Sequence, residues 1–546
     1  MPDYHEITLL PEGRKIKAEA GKTLMENLTD HVSLRADCGG RGVCGKCRII
    51  VETRDVPDLT DVEKDHLSPG LIASGYRLAC QVPVDRPMAV RLSDGGQDRG
   101  HVEAKKVFSG PYPVNPYITL PVDKQCFGMA VDLGTTTIAG YLCDLKTGQI
   151  LASSATINPQ RRYGDDVISR INYAGKEENN LRKLQGLALD AISYLVDTCL
   201  REIKASHEDV YGFTIAGNTT MEHILAGLDV SGLGRTPFKP ATLSEINLKT
   251  EDLGLDFMPG TSFKILPIIA AFIGGDTLAC VLADKPYKRD EMTLIVDLGT
   301  NGELVLGNRD GMWSTSCATG PALEGAQLSC GMRASLGAIS ACSIEPDTCR
   351  FDYTTIGDDN HEPPLGFCGS GILDLVATMI RTGAVKSGGN FNRDFPGFTA
   401  DGDNGVARMV LLPEEKNPAH VEIFVSQHDI RQVQLAKAAV ITGIRFLMEK
   451  AGIERIDRTI LTGAFGNAFD WKSAVTIGML PDIETLGQVI SRDNLAGEGA
   501  VLALLDKGTR KEAEEIKSKT SYMNLAEQPE FMEKFVENTG FSQAAD

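Results

Sequence analysis

The pattern of apolar and polar positions divides the chain into two kinds of territory. Near the start, Ile7-Thr8-Leu9-Leu10 and Lys15-Ile16-Lys17-Ala18 have strand character on either side of a Pro11-Glu12-Gly13 turn. Gly21 to Leu28 has helix character, with Leu24 and Leu28 four apart on one face, and Arg48-Ile49-Ile50-Val51-Glu52 returns to strand. Farther along, apolar strand segments alternate with longer helical ones, of which 181–203 and 431–451 are the clearest. That alternation predicts an α/β body. Between the two territories, Gly110-Pro111-Tyr112-Pro113-Val114-Asn115-Pro116 carries three prolines, which resist regular structure.

An internal repeat refines this picture. Val-Asp-Leu-Gly-Thr occurs at 131–135 and again at 296–300. Each copy closes an apolar strand and precedes another strand candidate, 138–142 and 303–306. Two such strand–turn–strand units predict a duplicated lobe. The expected organisation is a small domain over 1–95, a linker over 96–126, lobes over 127–290 and 291–508, and a charged, partly helical segment over 509–546.

Charge and composition narrow the classes. Lys and Arg number 55 against 74 Asp and Glu, a net charge of −19. Residues 1–95 hold 13 basic and 15 acidic side chains, so the acidity lies almost wholly downstream. This balance argues against a nucleic-acid binder. The longest apolar stretch, 265–273, is interrupted by Pro267 and falls short of the roughly 20 residues a membrane helix needs. The first residues lack a basic region followed by an apolar run, so a cytoplasmic protein is expected. There the 13 cysteines are expected to be thiols or metal ligands rather than disulfides.

Four of those cysteines stand out. Cys38, Cys44, Cys47 and Cys80 have the spacing C-x5-C-x2-C-x32-C. Three ligands on one loop and a distant fourth suit a [2Fe–2S] cluster held by thiolates. The other reading is zinc, although zinc sites favour two short Cys pairs and Cys80 has no close Cys partner. Gly39, Gly40, Gly42 and Gly45 let the loop curl and aim N–H groups at sulfur. Here the fragment resembles the β-grasp ferredoxins, particularly those with a longer cluster loop. Arg35, Arg41, Lys46 and Arg48 flank the loop, as solvated charge or as a dock for an acidic partner. The remaining cysteines read as small buried hydrophobes.

The repeats carry a second chemistry. In Asp132-Leu133-Gly134-Thr135-Thr136-Thr137, a hairpin turn can offer N–H groups and hydroxyls to a phosphate while the aspartate holds Mg²⁺ through water. Asp297-Leu298-Gly299-Thr300-Asn301-Gly302 repeats the device from the other lobe. Gly463-Ala464-Phe465-Gly466 follows a strand and suits close approach of a base or ribose. In this order the three elements resemble the superfamily of acetate and sugar kinases, heat-shock ATPases and actin. The resemblance implies two RNase-H-like lobes with ATP and Mg²⁺ between them. It gives catalytic roles to Asp132 and Asp297, and nucleotide contacts to Gly134, Thr135, Thr136, Gly299, Thr300, Asn301, Gly463 and Gly466. The 266–276 segment would lead into one lobe-connecting helix, and a second would start within 494–504. Asn218-Thr219-Thr220-Met221, Gly320–Ala326 and Cys368–Gly371 read as anion-facing or packing turns.

A ferredoxin domain joined to such an ATPase body is similar to the reductive activators of corrinoid proteins. The resemblance covers essentially the whole chain. One departure is that 96–131 is too short for the extra middle domain some members carry. It implies ATP-dependent transfer of one electron from the cluster to Co(II), regenerating Co(I). It also implies a corrinoid protein of a methyltransferase or O-demethylase system as partner and a low-potential electron donor, with a homodimer left open. The rival readings are a small-molecule kinase with an accessory ferredoxin domain, an activator of the 2-hydroxyacyl-CoA dehydratase type, and a redox sensor without ATP turnover.

Overall fold

The computed structural model describes the chain apart from residues 1–2, 12, 30, 33, 35–39, 41, 43–44, 54–55, 68, 93–109, 300, 326, 347, 358–361, 396–397, 399–406, 464–469 and 542–546. The first five strands are β1 (Tyr4–Leu10), β2 (Arg14–Glu19), β3 (Arg48–Val51), β4 (Tyr76–Leu78) and β5 (Met88–Leu92), in the sheet order β2-β1-β5-β3-β4. β1 and β5 are parallel and the other pairs antiparallel, a β-grasp arrangement. Alternation decides which face is core: Ile7 and Leu9 are buried while Glu6 before them and Thr8 between them are less so. The helix Leu24–Leu28 crosses that face, started by a capping box between Thr23 and Glu26. Leu24 and Leu28 are both fully buried beneath it.

The body holds two six-stranded sheets. The first contains β6 (Phe127–Leu133), β7 (Thr137–Asp144), β8 (Ile150–Ile157), β9 (Val210–Gly217), β10 (Ile246–Lys249) and β11 (Ser262–Ile265), in the order β10-β11-β9-β6-β7-β8. Next come β12 (Thr293–Leu298), β13 (Gly302–Gly307), β14 (Met312–Cys317), β15 (Ala338–Ile344), β16 (Phe351–Thr355), β17 (Gly366–Phe367), β18 (Arg408–Leu412), β19 (Ile423–Ser426), β20 (Arg458–Gly463), β21 (Gln488–Ser491) and β22 (Thr520–Tyr522). The second large sheet has the order β21-β20-β12-β13-β14-β22. In each, three antiparallel strands are followed by a long helix, Asn180–Ile203 or Gln427–Ala451, and then by strands parallel to the first. This is one RNase-H-like plan used twice. β6 and β12 run through the middle of their sheets and are almost wholly apolar, because both of their faces are covered. The second lobe also carries a three-stranded sheet, β16-β15-β17, and the hairpin β18–β19.

Two helices join the lobes. Gly275–Asp284 follows the first sheet and Leu495–Leu505 follows the second. Every residue of Leu495–Leu505 is buried, so this helix has no solvent face and lies within core. The pair crosses so closely that a Cβ on Gly499 would stand 2.0 Å from the Ala279 carbonyl oxygen. Gly499→Val is therefore expected to force the helices apart and to destabilise the protein by about 1–3 kcal/mol. A urea midpoint equal to wild type would show that this crossing gives way freely.

The two segments that sequence pattern left without a place lie along the lobes. Residues 110–126 form no helix or strand. Tyr112 N–H donates to the Gly148 carbonyl at 3.0 Å and Asn115 N–H to that of Leu505 at 2.9 Å. The helix Lys507–Lys519 packs on the first lobe, where Arg510 donates to Thr214 Oγ1 at 3.2 Å, pairs with Glu245 and sits over the Tyr117 ring. β22 directly follows that helix and adds to the edge of the second sheet beside β14.

Candidate functional site between the lobes and at the cluster loop

The registers bring the two repeats to equivalent places. Asp132 lies opposite Ala139 on β7 and Ala216 on β9, while Asp297 lies opposite Glu303 on β13 and Thr462 on β20. Each aspartate is therefore at the carboxyl end of the central strand of its lobe, where α/β sheets place their ligand crevice. Asp276, in the first turn of the first connecting helix, comes into the same space. Burial, followed by the negative charges of Asp297 and Asp132, pushes its carboxyl up to about 7. Burial and the charges of Asp276 and Asp297 likewise push the Glu303 carboxyl up. The Cys280 thiol donates to Asp297 Oδ2 at 3.6 Å. Four carboxyls, Asp132, Asp276, Asp297 and Glu303, thus come from both lobes toward one crevice, and burial with mutual repulsion favours the protonated form of Asp276 and Glu303.

The first loop is held from three sides. Gly134 closes the β6–β7 turn, where a Cβ would stand 2.4 Å from the Thr137 carbonyl oxygen. Asn158 Nδ2 donates to the Gly134 carbonyl at 2.9 Å, and Asn158 N–H to that of Thr136 at 2.8 Å. Arg170, fully buried, donates to the Thr135 carbonyl at 2.5 Å. Asn218 Nδ2 donates to Thr135 Oγ1 at 2.7 Å while its Oδ1 caps the short helix that follows. Thr136 Oγ1 is buried with no hydrogen-bond partner among the described residues.

The second loop turns at Gly299, whose N–H donates to the Asn301 carbonyl at 2.9 Å. Thr300 and Gly466 lie outside the described residues. Gly463 has a φ of +103°, and a Cβ there would stand 2.4 Å from Asp297 Oδ1. Its missing side chain thus makes room for the carboxylate. Asn494 caps the second connecting helix and donates from Nδ2 to Asp132 Oδ2 at 2.6 Å, tying that helix to the first loop. Cys368–Gly371 forms the N-cap and first turn of the helix Gly369–Arg381, packed so closely that a Cβ on Gly371 would stand 2.1 Å from the Ile339 carbonyl oxygen.

Sequence reasoning passed over Asn158, Arg170 and Glu303. Glu303 had a signal, because it follows directly on the second repeat. The other two had none.

At the N-terminal domain, Cys47 and Cys80 are buried and Ala79 N–H donates to the Cys47 carbonyl at 2.8 Å, which brings their strands together. Cys38 and Cys44 lie outside the described residues, as do Arg35, Gly39 and Arg41. Gly40, Gly42 and Gly45 all have positive φ. Gln81 Nε2 donates to Cys80 Sγ at 3.5 Å. Buried thiols, left-handed glycines and a donor aimed at sulfur fit a cluster held by this loop. The strand that leads to Cys80 is held by Glu63, whose carboxylate binds Arg77 through two 2.8 Å hydrogen bonds and accepts from Leu78 N–H. Burial raises the Glu63 pKa, but the bonds from Arg77, Thr60 and Leu78 outweigh it and the carboxyl sits below its usual range.

Comparison with known proteins agrees with this geometry. Residues 7–85 match the 2Fe-2S iron-sulfur cluster binding domain, residues 127–289 the RACo middle region, and residues 291–546 the C-terminal domain of RACo, the ASKHA domain. The corrinoid activation enzyme RamQ of Eubacterium limosum is 36% identical over 460 residues, covering 82% of this chain and 75% of that one. The chain belongs to the RACo family. A second relative, the [Co(II) methylated amine-specific corrinoid protein] reductase of Methanosarcina barkeri, is 24% identical over 385 residues, covering 65% of this chain and 66% of its own. A solved structure, a reductive activator for corrinoid, iron-sulfur protein, superposes with a TM-score of 0.70 at 28% identity over 99% of both chains. The RACo middle-region match coincides with the first six-stranded sheet, so the short 96–131 stretch does not mark a missing middle region. No helix among the described residues is long and apolar enough to cross a membrane.

Proposed function

We propose that this protein performs the ATP-dependent reductive activation of a corrinoid protein. The observation that carries the reading is one chain holding both a ferredoxin-type cluster loop and a two-lobed ATPase cleft, in the family of RamQ. The cluster, held by Cys38, Cys44, Cys47 and Cys80, would supply one low-potential electron, reducing substrate Co(II) to Co(I) as the cluster itself is oxidised. A low-potential donor must reload it. Asp132 and Asp297 would hold Mg²⁺ accompanying the nucleotide, and the cation would draw the protons from the nearby Asp276 and Glu303 carboxyls, whose pKa values burial raises. Thr135, Thr136 and Gly134 receive the phosphates from one lobe, and Gly299, Thr300 and Asn301 from the other. Gly463 and Gly466 border the nucleoside side. If the corrinoid lies below its donor in potential, each 59 mV reduces equilibrium transfer about tenfold, so a coupled nucleotide step has something to overcome. A cytoplasmic setting, where thiols stay reduced, suits the free cysteines of the described residues.

The test mixes the reduced protein with a Co(II) corrinoid protein, with and without Mg·ATP, and follows the cobalt spectrum. Co(I) formation that depends on ATP is expected. Phosphorylation of a small acceptor with no cobalt reduction would instead identify a kinase.

A further inference from the structure

One short segment of the second lobe, residues 328–333, touches both other parts of the molecule. At one end, Lys46 Nζ donates to the Leu328 carbonyl at 3.4 Å. Lys46 lies in the cluster loop, between Gly45 and the candidate ligand Cys47. At the other end, Arg333 reaches across to the first lobe and donates to Asp165 Oδ1 at 3.1 Å. Both side chains of this pair are mostly covered, at 24% and 13% exposure. The segment between them is stiff. Met332 N–H donates to the Phe367 carbonyl at 2.8 Å, Phe367 N–H returns to that of Cys330 at 2.7 Å, and Ser329 N–H donates to Asp429 Oδ1 at 2.8 Å.

Asp165 is in turn linked to the first phosphate loop. It accepts from Arg161 Nε at 2.9 Å. The residue before it, Gly164, accepts from Arg170 Nε at 2.8 Å, and the same guanidinium holds the Thr135 carbonyl. A path thus runs from the phosphate loop through Arg170 to the Gly164 carbonyl, along the backbone to Asp165, and through Arg333 to the segment against which the cluster loop rests. The lobes meet at the Gly499–Ala279 crossing. Asp165 and Arg333 lie on different lobes, so opening or closing of the cleft would alter their separation.

We propose that Arg333 is a positioning residue that transmits nucleotide occupancy of the cleft to the cluster loop, by way of Asp165 on one side and Leu328–Lys46 on the other. This rests on the reading given above and deepens it by naming where the two halves are joined. The contact does not touch nucleotide or cluster; its effect is on where the loop sits.

The test uses the full-length, anaerobically prepared protein with its cluster. Lys46 is modified with a small amine-reactive reagent in the absence and presence of Mg·ATP, and its rate is read by mass spectrometry relative to Lys22, an exposed lysine of the same domain. In wild type, nucleotide is expected to change the Lys46 rate about two- to fivefold, the range set by one partly exposed ion pair. Arg333→Gln should bind Mg·ATP yet lose that response, and Arg333→Lys, which keeps the cation, should recover part of it. A wild-type Lys46 rate indifferent to nucleotide, or an equal response in Arg333→Gln, overturns the proposal. ATP-dependent cobalt reduction by the same wild-type preparation reports separately on the function, so the two failures are distinguishable.

Discussion

An Asp297→Asn protein is expected to accept an electron from dithionite at the wild-type rate and to reduce a Co(II) corrinoid protein about 10- to 100-fold more slowly in Mg·ATP, the usual cost of removing a group that organises a metal's outer shell. The side chains are nearly isosteric, so the β12–β20 register that seats Asp297 beside Gly463 stays intact. The amide still accepts from the Cys280 thiol, but the cation loses one of the negative charges facing it across the cleft. Cluster bleaching and Co(I) formation, followed in one anaerobic assay, separate the two effects. A variant that hydrolysed no ATP yet reduced cobalt normally would show that the halves work independently, and the coupled mechanism would fall.

Cys80→Ala should give the converse. Wild-type protein isolated anaerobically is expected to contain about two irons and two acid-labile sulfides per chain. The variant should lose nearly all of both and fail to reduce cobalt, while Mg·ATP binding persists because the cleft belongs to other sheets. Retained ATP binding shows that the defect is local. Stoichiometric zinc without labile sulfide in the wild type would overturn the cluster assignment itself.

The parts of this fold that sequence revealed are those with short-range signatures. The two Val-Asp-Leu-Gly-Thr repeats stand where the first strand of each lobe turns into the second, at β6–β7 and β12–β13. The helices expected over 181–203 and 431–451 form as Asn180–Ile203 and Gln427–Ala451. Their apolar stripes are periodic and long enough to override local noise. The first connecting helix begins at Gly275 and the second at Leu495, as the motif order implied. What remained hidden depends on sheet register. Asp132 meets Asn494 and Asp297 meets Asp276 because strands and helices distant in sequence end in one crevice. Arg170 resembles any helical arginine until the fold buries it against Thr135. The Lys507–Lys519 helix is too charged to advertise a packed face, since Ala513 and Ile516 are its only buried apolar residues.

The strand at Thr520–Tyr522 has a consequence for synthesis. The five strands of the N-terminal sheet lie within residues 4–92 and can pair as soon as that stretch leaves the ribosome. The second large sheet gains its last edge strand only when residue 522 emerges, after a translation delay on the order of tens of seconds. During that interval the outer edge of β14 has no partner strand and presents open backbone donors and acceptors. Slow elongation through the final quarter of the message should therefore prolong the window in which a nascent copy can pair wrongly with its neighbours on the same polysome.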